Sequence, residues 1–159
     1  MRDVETLLPR LIDTGMEFVI VGGFAAVAHG ATRLTQDLDV CCPFTDENLR
    51  RLIAAIGGLN PRFMGPSRRA LPETSEELAG FKNLYLETDL GELDVLGEIA
   101  GIGSFPAVRA RSEVVTLWAR AVRILQLDAL VESKRALARD KDLEALRELE
   151  VILARQQKP

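Results

Sequence analysis

Two aspartates one residue apart in an apolar strand leave a chain few ways to fold. The segment Asp37-Leu38-Asp39-Val40 alternates acidic and apolar side chains. Along a strand, Asp37 and Asp39 point to one face, and Leu38 and Val40 to the other, the core face. Paired carboxylates repel. They need a cation or hydrogen-bond donors between them, or one of them takes up a proton. A sheet built on this strand buries one face and leaves the other for chemistry.

The preceding residues belong to the same unit, Val19–Val40. Phe18-Val19-Ile20-Val21 is a short β-branched run that reads as a buried strand, ended by Gly22-Gly23. Phe24–His29 reads as a short helix closed by Gly30. The glycine turn offers backbone N–H groups and a helix N-terminus, which suit a phosphate. The aspartates suit Mg²⁺, a hard ion held by one or two carboxylates together with substrate phosphates. His29 reads either as a nucleotide contact or as a packed side chain hydrogen-bonded to backbone.

A length of 159 residues fits one domain, or one domain with a helical tail. No apolar run is long enough to cross a bilayer, and MRDVETLLPR is not a secretory signal, so a cytoplasmic protein is expected. The adjacent Cys41 and Cys42 are expected to be reduced thiols, and with one histidine they do not make a zinc site. The net charge of −4 argues against a generic nucleic-acid coat. Between Arg109 and Lys141, however, eight Lys/Arg stand against four acids. A basic face opposite acidic metal ligands would suit a polyphosphate, although a solvated helix face explains most of these residues.

In order, Arg2–Thr14 shows helical spacing of Val4, Leu7, Leu8, Leu11 and Ile12, ended by Gly15. Thr45 is placed to cap a helix over Asn48–Ile56. Asn60–Gly80, rich in proline and glycine and carrying Arg62, Arg68 and Arg69, reads as a flap over a ligand or as a solvated connection. Phe81–Leu96 reads as a hairpin turning at Asp89-Leu90-Gly91. Gly97–Arg111 reads as a loop, and Ser112–Leu125 as one or two strands. The lone Trp118 reads as core or as a base-stacking ring. Leu127–Ala138 and Lys141–Arg155 read as a helical pair, the second with a stripe of Leu143, Leu146, Leu149 and Leu153.

The string GGFAAVAHGATRLTQDLD resembles the nucleotidyltransferase superfamily of DNA polymerase β type. Within it, the chain looks like the small bacterial branch of minimal and abortive-infection-type toxin nucleotidyltransferases. LVESKRALARDKDLEALRELE is similar to the C-terminal signature of that branch. The resemblance implies an α/β (α+β) fold: a mixed twisted sheet flanked by helices, with a core over residues 1–126 and a helical pair over 127–159 packed on it as a single domain. It implies an acidic triad of Asp37, Asp39 and a third carboxylate on a later strand, with Asp94 favoured and Glu92, on the same face, its rival. It also implies phosphate contacts from Gly22, Gly23, Arg33, Thr35 and Lys134, although Thr35 reads equally as a turn residue. Lys141 and Asp142 are weaker candidates, since an acid at a helix start favours the dipole without any catalysis.

The activity implied is Mg²⁺-dependent transfer of an NMP from an NTP to a hydroxyl acceptor, with two ions and release of pyrophosphate. The acceptor is RNA (a tRNA end), a protein or a small molecule, and a toxin role with an antitoxin partner is a further expectation. The rival readings are a non-catalytic nucleotide-binding or regulatory protein of the same fold, and a structural domain whose acids sit on a solvated strand.

Overall fold

A computed structural model describes residues 3–32, 35, 37–137 and 139–158. The first helix, α1 (Val4–Asp13), starts where Asp3 accepts a hydrogen bond from the Thr6 amide at 3.0 Å, and it buries Leu7, Leu8 and Leu11. The β-branched run forms β1 (Val19–Val21), buried throughout. Next, α2 (Gly22–Ala28) begins on the glycine pair itself rather than after it. The acid-bearing strand is β2 (Asp37–Cys41), and α3 (Asp46–Ile56) follows, capped by Thr45 as expected.

Residues 60–80 carry the two-residue β3 (Arg62–Phe63), which pairs with β4 (Asn83–Thr88). Arg62 pairs with Glu87 at 3.4 Å and with Asp89 at 3.6 Å, and Arg68 pairs with Glu87 at 3.4 Å. Arg62 and Arg68 therefore tie this segment down at the edge of the sheet. The hairpin closes into β5 (Gly91–Leu96).

Residues 97–111 hold more structure than a loop. A small ribbon of β6 (Glu98–Ile99) and β7 (Gly103–Ser104) leads into α4 (Phe105–Ala110). Pro106 sits in the first turn of α4, where a missing N–H costs nothing. The hairpin of β8 (Ser112–Leu117) and β9 (Arg120–Leu125) completes the sheet, and α5 (Leu127–Leu137) and α6 (Asp140–Gln156) follow.

Seven strands form one mixed sheet in the order β3-β4-β5-β2-β1-β9-β8. Within it, β2 runs parallel to β5, β1 runs parallel to β9, and the other neighbours are antiparallel. Leu38, Val40, Leu93 and Val95 are fully buried in one core with Leu7, Leu11, Leu52 and Ile56. Cys41 and Cys42 are buried free thiols, each pushed up to about 12 by burial, which leaves them unreactive. On α6 the inward stripe is Asp142, Leu146, Leu149 and Leu153, and Leu143 is exposed. Among the described residues, no helix is long and apolar enough to cross a membrane.

Candidate active site

The site is built by strand register. The parallel pairing of β2 and β5 sets Asp37 beside Glu92, Leu38 beside Leu93 and Asp39 beside Asp94. Because Leu38, Val40, Leu93 and Val95 fill the core, the acids occupy the opposite face. Oxygens of Asp37, Asp39 and Asp94 lie within 4.8 Å of one another, and Glu92 is not in that group. Nor is Asp94 on a solvated edge: β5 has β2 on one side and β4 on the other.

This crowding changes the acids. Burial, and then the charge of Asp37, pushes Asp39 up to about 6. Burial, then the charge of Asp39 and a hydrogen bond with it, pushes Asp94 up to about 7. Oδ1 of Asp39 is buried without a hydrogen-bond partner among the described residues. An orphaned carboxylate oxygen inside an all-oxygen cluster of negative charge is a donor set that fits a hard divalent cation.

The glycine pair fits closely against these acids. Gly22 has φ +67°, and a Cβ on it would lie 2.2 Å from Oδ2 of Asp39. Both its conformation and its proximity to Asp39 demand glycine. A Cβ on Gly23 would lie 2.9 Å from Oγ1 of Thr35. That hydroxyl donates to the Asp37 carbonyl at 3.0 Å, so Thr35 braces the entry to β2. His29 is bonded through Nε2 to the Leu125 carbonyl oxygen at 2.8 Å, the packed alternative of its two readings. Arg33 lies outside the described residues.

A cleft of about 300 Å³ opens over the acids, with Gly22, Asp39 and Asp94 on its floor and α5 across from them. Lys134 of α5 lines it, together with Arg139, Asn83 and Tyr85. None of residues 60–80 lines this cleft. Trp118 is 40% exposed in the β8–β9 turn, 6.2 Å from the Phe24 ring, and lines no part of the cleft.

Sequence reasoning missed Tyr85 and Arg139. Tyr85 is in register with Asp94 on β4, which only the pairing reveals. It also undervalued Asp142, a buried side chain that accepts hydrogen bonds from Lys134 and Arg139. A carboxylate at the start of a helix with two cations within eight residues was the available signal.

No family model matches the chain, and no curated protein does. Solved structures do match. One is a candidate nucleotidyltransferase of Thermotoga maritima, with TM-score 0.58 and 16% identity over 91% of this chain and 88% of that one. Another is the antibiotic-resistance factor ANT(2″)-Ia in solution, with TM-score 0.60 and 18% identity over 97% of this chain and 89% of that one. The same protein in complex with adenylyl-2″-tobramycin gives TM-score 0.52 and 17% identity over 95% and 92%. The chain thus has the nucleotidyltransferase fold.

Proposed function

We propose that this chain is a metal-dependent nucleotidyltransferase, moving an NMP from an NTP to a hydroxyl of an acceptor with loss of pyrophosphate. The observation that carries the reading is the convergence of Asp37, Asp39 and Asp94 on one face of the sheet, with Gly22 pressed against Asp39. A structural domain has no use for a buried, unpartnered carboxylate oxygen, which costs desolvation energy without return.

In this reading the three aspartates would hold Mg²⁺. The bound metal supplies a lowered pKa for the attacking hydroxyl and charge neutralisation on the triphosphate. The chain's own groups do the rest. The first N–H groups of α2, beginning at Gly22 and Gly23, have no partner within the helix and suit phosphate oxygens. Lys134 faces the acids across the cleft and offsets charge that builds on the phosphates. Asp94, beside Asp39 on the acid face, accepts the proton of the acceptor hydroxyl.

The acceptor side is the wall made by Asn83 and Tyr85, one strand beyond Asp94. An aromatic ring and an amide suit a hydroxylated small molecule better than a phosphodiester chain, which would call for cations there. The likeness to a factor crystallised with an adenylylated aminoglycoside supports the same choice. A toxin role and an antitoxin partner stay outside the proposal, because no described feature supports either.

The test is label transfer from each of four α-labelled NTPs with Mg²⁺ to tRNA, to protein and to tobramycin, with Asp39→Ala as control. Label in one pool, lost in the control, establishes the activity and names the acceptor class. Metal-dependent NTP binding without transfer to any pool turns the reading into that of a non-catalytic nucleotide binder.

A further inference from the structure

Asp142 is 4% exposed at the start of α6. Burying a carboxylate is costly unless cations and donors compensate. Here two cations do. Nζ of Lys134 donates to it at 3.0 Å, Nε of Arg139 at 2.6 Å and Nη2 of Arg139 at 3.3 Å. The hydrogen bond from Arg139 holds the carboxyl below its ordinary range against the opposing effect of burial, and Lys134 adds to it. Asp142 takes the first position of the inward stripe of α6, where Leu143 would have made a plain apolar seam.

A buried ion pair placed only for stability could be replaced, both partners together, by packed apolar side chains at little loss. What distinguishes this one is where its partners stand. Lys134 and Arg139 both line the cleft that holds Asp39 and Asp94. Asp142 thus fixes two flexible cations at the rim of one cavity, from behind. The cluster keeps one net positive charge. A lysine has three donors and an arginine five, whereas a carboxylate offers two oxygens, so donors remain for an anion in the cleft. Arg139 adds planar, forked donors of the kind that match phosphate oxygens.

We propose that Arg139 is a polyphosphate-binding residue that works with Lys134, and that Asp142 is the positioning residue that aims both into the cleft. This rests on the nucleotidyltransferase reading and assigns the wall of the site that receives the β- and γ-phosphates.

The probe is inorganic tripolyphosphate with Mn²⁺, titrated calorimetrically, which removes any dependence on the base. Mn²⁺ alone is titrated in parallel. Arg139→Gln is expected to weaken tripolyphosphate binding about tenfold or more, as expected for loss of a charge-assisted hydrogen bond. Asp142→Asn is expected to weaken it similarly, and Asp142→Glu to recover part of the loss. The affinity for Mn²⁺ alone stays unchanged in all three. Should Asp142→Asn fail to fold, Arg139→Gln decides alone, since that side chain is 47% exposed. Wild-type affinity in Arg139→Gln overturns the proposal, as does a wild-type protein that takes up Mn²⁺ but no tripolyphosphate. A wild-type protein that takes up neither overturns the nucleotidyltransferase reading beneath it.

Discussion

Gly22 and Asp39 are packed so closely that a single added carbon on the glycine would lie 2.2 Å from a carboxylate oxygen. The turn that ends β1 and the metal-competent acid of β2 are therefore one fitted unit. Gly22→Ala must push Asp39 aside and adopt a left-handed backbone. We expect a loss of about 1–2 kcal/mol from the backbone alone, and at least a tenfold loss of Mn²⁺ affinity. Thermal unfolding and metal titration measure the two separately.

Asp94 and Glu92 share a face of β5, and only Asp94 stands beside Asp39. Asp94→Asn should lower the rate of transfer on the order of 10²–10⁴-fold, the usual loss for a positioned proton acceptor. Glu92→Gln should change it little. Single-turnover rates at saturating NTP read this out. The reverse pattern would move the third carboxylate to Glu92.

Burial and mutual repulsion raise both Asp39 and Asp94 above their ordinary value of 3.8. The folded chain therefore holds protons there that the unfolded chain has released. That contribution to stability is complete below about pH 4 and is lost as pH rises through about 6 for Asp39 and about 7 for Asp94. Asp39→Asn should make the metal-free protein more stable than wild type above pH 7, by on the order of 2 kcal/mol. The difference should vanish near pH 4. Urea unfolding in the presence of chelator across this range checks it. Restoring Mg²⁺ above pH 7 should raise the midpoint of the wild type and not of the variant.

Tyr85 is 50% exposed in register with Asp94, on the wall of the cleft that we propose faces the acceptor. Tyr85→Ala should raise the acceptor KM roughly tenfold, the worth of one stacked ring. The NTP KM should hold. Tyr85→Phe should behave nearly as wild type, because among the described residues the hydroxyl has only a long contact with Asn83, at 3.4 Å. Steady-state kinetics with each substrate varied in turn separates these.

The unit from Val19 to Val40 was legible because its signals are local: a β-branched run, a glycine pair and acids at strand spacing. Register was not. Alternation puts Glu92 and Asp94 on one face alike, and the choice depends on a partner strand far away in sequence. Asp142 read as a helix-start acid because that reading needs only its own helix, whereas its burial depends on α5 packing against α6. The α4 segment hid behind glycines and a proline, although Pro106 in a first turn is itself a helix signal. The leucine stripe of α6 was offset at its first position because Leu143 and Asp142 differ by one step around the helix, and it is Asp142 that turns inward, onto Lys134 and Arg139.

The parallel pairing of β2 with β5 also sets an order of events. Asp37 and Asp39 leave the ribosome long before Asp94, and Lys134 and Asp142 come later still. A growing chain can form the first antiparallel pair while its carboxylates have water for neighbours. Repulsion from Asp94 is added to that between Asp37 and Asp39 only when β5 slots in beside β2, and the cations opposite arrive after that. The emerging chain therefore has no complete acid cluster, and the cleft exists only in the finished sheet.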